Sequence, residues 1–287
     1  ELGGEVDAVV CGRPVHFVDD DPVADAAAQS QLESAVRAQG FRQVDFQFEP
    51  IAAALDYERQ VTSEKLALIV DLGGGTSDFT VIRVSPERAR AVDRSQDILS
   101  TAGVHVGGTD FDRLLGMGKV MPELGLGTMT VDGKRHLPVA PYYDLSTWHR
   151  INRLYNAQTL RDLRGTQREA RAPGRVEMMI ELIEDRLGHR LVGAVEAAKI
   201  ALSDADATDF AFPVRGRQIE TVMTKADLTK ALHQSVERIE TTIAQALVRA
   251  GVKGRAIDSL ILTGGSTQVP VIAARLRALF PEAALVR

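Results

Sequence analysis

Short apolar stretches alternate with longer amphipathic ones along the chain, which is the pattern of an α/β protein. Short runs rich in β-branched and aromatic residues predict strands at 6–10, 43–48, 66–70, 79–84, 90–99 and 257–263. Apolar residues at helical spacing predict helices at 23–39, from 49 onward, and at 145–163, 176–203 with a break near Gly188, 224–251 and 268–280. A hairpin is predicted over 210–222, and the Gly- and Pro-containing stretch 116–143 is predicted to be loop-rich.

The most informative stretch is the turn DLGGGTSD at positions 71–78, between two predicted strands. Its glycines Gly73, Gly74 and Gly75 allow successive backbone N–H groups to point into one concavity, which suits phosphate oxygens. Asp71 and Asp78 flank the turn and offer the oxygen ligands that Mg²⁺ takes, often through water. Thr76 and Ser77 add hydroxyl groups. The turn therefore predicts a phosphate site with nearby magnesium rather than an ordinary glycine-rich hairpin.

The sequence contains neither of two better-known phosphate-binding loops. The chain has no G-x-x-x-x-G-K-[ST] segment, and no G-x-G-x-x-G opens a helix. Two other glycine pairs do precede predicted helices. Gly107 and Gly108 open one, and Gly264 and Gly265, followed by Ser266, lie between the strand at 257–263 and the helix at 268–280. Both pairs allow close backbone approach to a ligand, although the first is also compatible with a simple helix start.

A glutamate lies where a predicted strand ends and a helix begins. Glu49 precedes Pro50 and an alanine-rich helix, so its carboxylate either faces the cleft that the glycine turn lines or is a favourable charge at a helix N-terminus. The acidic run 19–21 is predicted to be a solvated loop that ends in a helix N-cap, with Pro22 in the first turn.

Composition narrows the function classes. The net charge of −5 gives no reason to expect nucleic-acid binding, and no apolar run reaches transmembrane length. The single cysteine, Cys11, excludes an internal disulfide framework and fits a reducing compartment such as the cytoplasm. The six histidines lack metal-ligand spacing. The Arg-rich stretch 161–175 could suggest an anionic ligand, but its interspersed Asp162 and Glu169 favour a solvated helical surface.

Four segments in fixed order carry a family resemblance: EPIAAA at 49–54, DLGGGTSD at 71–78, GGTDFD at 107–112 and LTGGST at 262–267. Together they resemble the ATPase domain of the DnaK-like heat shock protein 70 family. The stretches LSTWH at 145–149 and TLRDLR at 159–164 are more similar to YegD-type chaperones than to DnaK itself. The resemblance implies an actin-like ATPase (ribonuclease H-like) α/β fold with mixed sheets, flanking helices and two lobes, one of them incomplete.

The resemblance also implies roles for individual residues, with ATP or ADP and Mg²⁺ as the cofactors. Glu49, Asp71 and Thr76 would be catalytic, and Asp71 and Asp78 would lie near the metal, through water. The residues implied to bind the nucleotide are Gly73, Gly74, Gly75, Gly107, Gly108, Glu196, Lys199, Ser203, Gly264, Gly265 and Ser266. The implied partners are unfolded polypeptides or co-chaperones, with no nucleic acid or membrane.

The sequence departs from the family pattern in two ways. Ile200 stands where these chaperones usually place an arginine that stacks on adenine, and the family's first phosphate loop and upstream catalytic lysine are absent. We therefore expect 1–70 to hold part of lobe I and the crossover, 71–263 to form lobe II with a mainly helical insert at about 113–205, and 264–287 to return toward lobe I. Hydrolysis is expected of the full-length protein rather than of this chain alone. The alternatives are an actin- or MreB-like filament protein, a sugar or acetate kinase, and an ATPase-shaped scaffold that has lost nucleotide binding.

Overall fold

A computed structural model describes residues 6–18, 21–91 and 93–286 of the chain. The helices are α1 (Pro22–Arg37), α2 (Glu49–Glu58), α3 (Gly108–Lys119), α4 (Ala140–Ser146), α5 (Ala157–Glu169), α6 (Pro173–Glu184), α7 (Gly188–Ala201), α8 (Lys225–Arg249) and α9 (Pro270–Leu279). The strands are β1 (Ala8–Arg13), β2 (Gln43–Phe48), β3 (Lys65–Leu72), β4 (Ser77–Val84), β5 (Ile98–Val104), β6 (Ala207–Val214), β7 (Arg217–Thr224), β8 (Ser259–Thr263) and β9 (Ala284–Val286). No helix in these ranges is long and apolar enough to span a membrane.

A five-stranded mixed sheet in the order β5-β4-β3-β8-β9 forms the centre of the fold. β3, β4 and β5 are antiparallel, whereas β8 and β9 run parallel to β3. Since side chains alternate along a strand, Leu68, Val70 and Leu72 of β3 face the larger core, and Ala67 and Ile69 face the smaller one. α3 and α8 supply buried side chains to the larger core, and α2 packs on the opposite face.

A separate pair of parallel strands, β1 and β2, lies at the N-terminal end with α1 between them in sequence. α1 begins as predicted: the carboxylate of Asp21 accepts hydrogen bonds from the N–H groups of Val23 (3.1 Å) and Ala24 (3.0 Å), and Pro22 is the first helical residue. The rest of the predicted acidic loop, Asp19 and Asp20, lies outside the described residues. β2 leads directly into α2, so Glu49 is positioned by the end of this two-stranded sheet.

Two predicted elements differ from the structure. The helix predicted at 145–163 is interrupted, because the side chain of Asn156 accepts a hydrogen bond from the N–H of Thr159 (2.9 Å) and starts α5 anew. Residues 148–154 form a 3₁₀ segment instead, in which Trp148 is half exposed against His189. The strand predicted at 90–99 begins only at Ile98, because short 3₁₀ turns at 88–90 and 95–97 precede it.

The predicted domain division has no matching break in the central sheet. Position 70, where lobe I was expected to end, lies inside β3, which pairs with β4 along its whole length and with β8 from Ala67 to Asp71. β9, in the stretch expected to return toward lobe I, pairs with β8 in the same sheet. Residues 113–205 contain α4, α5, α6 and α7, and their assignment as an insert in lobe II stays a prediction.

A buried group of charges ties α2 to the chain just before β5. The guanidinium of Arg94 donates two hydrogen bonds to the carboxylate of Glu58 (2.5 and 2.9 Å) and another to Asp97. Arg88 also bonds to Asp97 and reaches Glu64 at 2.9 Å. Arg94, Glu58 and Asp97 are each less than a tenth exposed. Removing a single partner would leave an uncompensated charge in the interior.

We therefore expect Arg94→Met to lower the free energy of unfolding by about 3–5 kcal/mol, measured by urea denaturation. Arg59→Met is the matched control, because Arg59 pairs with Asp56 at 3.9 Å where both side chains are more than three-quarters exposed. It should cost less than about 1 kcal/mol. Similar losses for the two variants would contradict a structural role for the buried group.

Candidate functional site

The predicted phosphate turn joins β3 to β4 as a tight loop. The N–H of Gly73 donates to the carbonyl of Thr76 (2.9 Å), so this amide closes the turn and is not available to a ligand, contrary to its predicted role in a cradle of three glycine amides. Gly74, Gly75 and Thr76 are exposed, and the N–H groups of Gly74 and Gly75 have no acceptor among the described residues. The amides that can meet an anion are therefore those of Gly74 and Gly75.

The start of α3 is bonded directly to this turn. The N–H of Gly108 donates to the carbonyl of Gly73 (3.0 Å), and Thr109 donates to the carbonyl of Gly74 through both its N–H and its hydroxyl (2.8 Å each). A Cβ on Gly107 would lie 2.6 Å from backbone atoms of Gly74. The absence of a side chain at Gly107 is therefore what lets the two segments touch.

The third glycine motif approaches the turn from β8. Gly264 has φ +81°, and a Cβ there would lie 2.2 Å from the carbonyl oxygen of Leu72. The hydroxyl of Ser266 lies 3.4 Å from the carbonyl oxygen of Gly73. Three segments that are far apart in sequence thus meet at one point, and two of them do so at distances that only glycine permits.

The meeting point forms one end of a cleft of about 380 Å³, within the size range of ligand pockets. The predicted binding residues that line it are Gly73, Gly74, Gly108, Glu196, Lys199, Ser203, Gly265 and Ser266. Glu196, Lys199, Ile200 and Ser203 share one face of α7 and its C-terminal turn because their spacing is helical. Ile200 is 59% exposed and lines the cleft, so an apolar side chain is presented at its rim.

Lys199 is held by a carboxylate that the sequence interpretation did not assign. Its ammonium nitrogen lies 2.7 Å from Asp112 and 3.4 Å from the carbonyl oxygen of Gly108, and both side chains are buried. Burial, together with the nearby Glu196, raises the pKa of Asp112 to about 6 although Lys199 opposes the shift. Asp112 lies in the GGTDFD segment, which is recognisable in the sequence. Its pairing with Lys199, 87 positions later on α7, could not be predicted from the sequence.

The predicted catalytic carboxylates line a second cavity, on the α2 side of the sheet. Asp71 and Asp78 are directly opposite across the antiparallel pair β3–β4, and Glu49 lies at the N-terminus of α2. Burial raises the pKa of Asp71, and burial with repulsion from Asp71 and Asp78 raises the pKa of Glu49. Like charges placed opposite each other are unfavourable in a sheet, which favours a functional rather than a structural reason for them.

Metal binding by these carboxylates stays a prediction. Among the described residues, no three or more His, Cys, Asp or Glu side chains form a group able to hold a metal ion directly. Ser77, whose hydroxyl was expected in the site, is buried and donates to the carbonyl of Val106 at 2.6 Å. Strand alternation explains this, because Ser77 shares the inward face with Phe79 whereas Asp78 points the other way.

Comparison with known proteins shows the family of the chain. The family model described as Hsp70 protein matches residues 1–118 and 175–285, which is well over half of the chain. The chain belongs to the Hsp70 family. Between its two matched parts the family model leaves residues 119–174 unmatched, and these contain α4 and α5.

Individual Hsp70 relatives are similar along nearly the whole chain. Chaperone protein HscA of Klebsiella pneumoniae is 28% identical over 97% of this chain and 34% of its own length. Heat shock 70 kDa protein 7, chloroplastic, of Arabidopsis thaliana is 27% identical over 97% of this chain and 31% of its own length. Chaperone protein dnaK of Cyanidioschyzon merolae is 25% identical over 94% and 35%. The chain thus spans about one third of the length of these relatives.

The close approach of Gly264 to β3 can be tested by adding one methyl group. We expect Gly264→Ala to lower the free energy of unfolding by about 2 kcal/mol or more, because its backbone conformation is almost restricted to glycine and the added carbon would overlap Leu72. Gly265→Ala is the control, since a Cβ there meets nothing within 4 Å and should change stability by less than about 0.5 kcal/mol. Equal effects in thermal unfolding would contradict the contact.

The mutual repulsion of the carboxylates can be tested by titration. We expect Asp71→Asn and Asp78→Asn each to lower the pKa of Glu49 relative to the native chain, because each removes a negative charge that disfavours ionisation of Glu49. NMR titration of the side-chain carboxyl resonance measures the change. Asp56→Asn, an exposed acid on the same helix, should leave the pKa where it was. A Glu49 pKa unchanged by all three substitutions would show that these carboxylates do not interact.

Proposed function

We propose that this chain is the ATP-binding, ATP-hydrolysing domain of a DnaK-like chaperone of the YegD type, with Mg²⁺ as its metal. The observation that carries the proposal is the convergence of the glycine turns at 73–75, 107–108 and 264–265 with one face of α7 on a single cleft. The YegD type is named for the stretches LSTWH at 145–149 and TLRDLR at 159–164, which lie in the residues 119–174 that the family model leaves unmatched.

The residues fit a magnesium nucleotide. The turn offers the uncommitted amides of Gly74 and Gly75 to phosphate oxygens, and the glycine contacts keep side chains out of the approach. The carboxylates next to it repel one another, so a divalent cation nearby would relieve the repulsion that raises the pKa of Glu49. Asp71 and Asp78 would hold Mg²⁺ through water, since two carboxylates with several waters is a usual magnesium environment.

Catalysis would depend on position and charge rather than on a covalent intermediate. When bound, Mg²⁺ neutralises charge on the phosphates. The amides of Gly74 and Gly75 and the hydroxyl of Thr76 would bind the terminal phosphates. Glu49 would orient the attacking water and accept its proton, a role that a carboxylate of raised pKa suits better than a fully solvated one.

The adenosine part of the nucleotide would occupy the cleft beside α7. Gly265 and Ser266 would lie against it from one side, and Glu196 and Ser203 would supply hydrogen bonds from the other. Lys199, paired to Asp112 and Gly108, would fix the distance between α7 and α3 as well as lining the cleft. Ile200 would pack against the base with an apolar side chain where relatives use a cation.

The chaperone role follows from family membership, which favours it over the filament and small-molecule kinase alternatives. Helix α2 joins the β1–β2 pair to the central sheet, and the carboxylate cavity lies between them, lined by Pro14, His16, Glu49 and Asp71. Nucleotide bound at the glycine turn beside this cavity would draw the β1–β2 pair and the central sheet together. This hinge-type change would signal to a partner. The proposed partners are unfolded polypeptides and co-chaperones, in the cytoplasm.

Calorimetric titration of Mg-ATP and Mg-ADP into the protein tests this function. Binding should be weakened about tenfold or more by Gly265→Asp, because the added charged side chain would occupy open cleft space that the proposal assigns to adenosine. Asp71→Asn should abolish most ATP turnover by the full-length protein. Asp56→Asn, an exposed carboxylate away from the cleft, is the control for both measurements.

Binding by the native protein that both site variants retain would overturn the assignment of these residues. A native protein that binds neither nucleotide would overturn the proposed ATPase and favour a scaffold that has lost the nucleotide, with Ile200 as the first position to restore.

A further inference from the structure

The segment that the family model leaves unmatched contains a groove unrelated to the nucleotide cleft. α5 forms one side, and the hairpin-like stretch 129–138 forms the other, enclosing about 480 Å³. The stretch is fixed to the end of α5 by hydrogen bonds from Val131 to the carbonyl of Glu169 (2.8 Å) and from Arg171 to the carbonyl of Met129 (3.0 Å). Leu137 and Leu163 anchor the two sides in the core. The groove is therefore a rigid feature.

Charge distinguishes this segment from the rest of the chain. Residues 119–174 contain nine Lys or Arg and five Asp or Glu, a net charge of +4, although the whole chain has −5. Within the groove, Arg135 pairs with Glu169, and Asp162 accepts a hydrogen bond from Gln158. Arg161 and Arg168 are exposed and form no ion pair with any described residue, although the guanidinium of Arg161 donates a hydrogen bond to the neutral side chain of Gln158 (2.6 Å). Two arginines thus remain for an external anion.

One residue of α5 that lines the groove, Gly165, is a glycine whose presence packing does not explain. Gly165 lies in the middle of α5, where it costs about 1 kcal/mol of helix stability relative to alanine. A Cβ there would meet only the end of Arg168, at 3.9 Å, so internal packing does not require glycine. Arg161, Gly165 and Arg168 share one helical face. Because Gly165 has no side chain, the backbone of another chain could approach α5 closely between two arginines that have no ion-pair partner among the described residues.

We propose that this groove binds an extended acidic polypeptide segment of a partner protein, with its backbone over Gly165 and its carboxylates on Arg161 and Arg168. The two arginines are seven positions apart, about 10 Å along the helix. Carboxylates three residues apart lie on one side of a polyproline II chain, about 9 Å apart, which is close to the separation of the two arginines.

The test uses a fluorescein-labelled peptide with glutamate at every third residue and leucine and alanine between, followed by fluorescence anisotropy without nucleotide. The native chain should bind it, and more weakly as salt rises. Arg161→Glu and Arg168→Glu should each weaken binding about tenfold or more, since a charge-assisted hydrogen bond is lost and repulsion is added. Arg277→Glu is the control, an exposed helical arginine outside the segment that likewise forms no ion pair with a described residue.

Gly165→Ala and Gly165→Leu separate binding from folding. Both should raise or maintain the melting temperature, because alanine and leucine favour helix over glycine. Both should nevertheless weaken peptide binding, leucine more than alanine. Binding unaffected by Gly165→Leu, or equally reduced by Arg277→Glu, would overturn the proposal.

Two further results would also overturn it. The first is that the native chain binds the same peptide with glutamine in place of glutamate just as tightly. The second is that sedimentation shows a dimer that Arg161→Glu dissociates, because a second copy of the chain would then be the occupant. Because none of these measurements needs ATP, failure here leaves the proposed nucleotide site untouched, and failure of that site leaves this groove untouched.

Discussion

The whole arrangement depends on backbone segments touching where no side chain can fit. Gly107 approaches the turn after β3 closely enough that a Cβ would lie 2.6 Å from Gly74, and Gly264 approaches β3 itself even more closely. The same contacts fix where α3 begins and where β8 ends. A conformational cost in glycine-rich loops is thus offset by backbone hydrogen bonds, such as those from Gly108 and Thr109 to the turn.

The alternation of β3 and β4 then divides the site into two chemically different sides. Leu72 and Phe79 point into the larger core, whereas Asp71 and Asp78 point toward α2. One hairpin therefore supports a hydrophobic interior on one face and a cluster of carboxylates on the other. Its turn, with exposed Gly74 and Gly75 amides, lies between the cleft beside α7 and the carboxylate cavity.

Much of this could be predicted because it is local in sequence. The strand–turn–strand at 71–78, the break near Gly188 and the Asp21 cap each follow from neighbouring residues. The inward position of Ser77 was also predictable from strand alternation. By contrast, the pairs Arg94–Glu58 and Lys199–Asp112 join residues 36 and 87 positions apart, and the fold alone brings them together. The hydrogen bond from the Gly73 amide to its own turn could not be predicted either, because it depends on the three-dimensional geometry of the turn.

The unmatched segment, residues 119–174, obeys a different constraint from the glycine motifs around the cleft. Where the glycine turns meet, the close contacts of Gly107 and Gly264 are made with other parts of the same chain, so the fold itself requires glycine at these two positions. Gly165 has no such internal explanation, and Arg161 and Arg168 have no internal counter-ion among the described residues. A helix that gives up stability at one position and leaves two charges unpaired beside it is better explained by an external partner than by folding. A substitution in the cleft beside α7 therefore need not affect the groove beside α5, because the cleft depends on backbone geometry and the groove on charge.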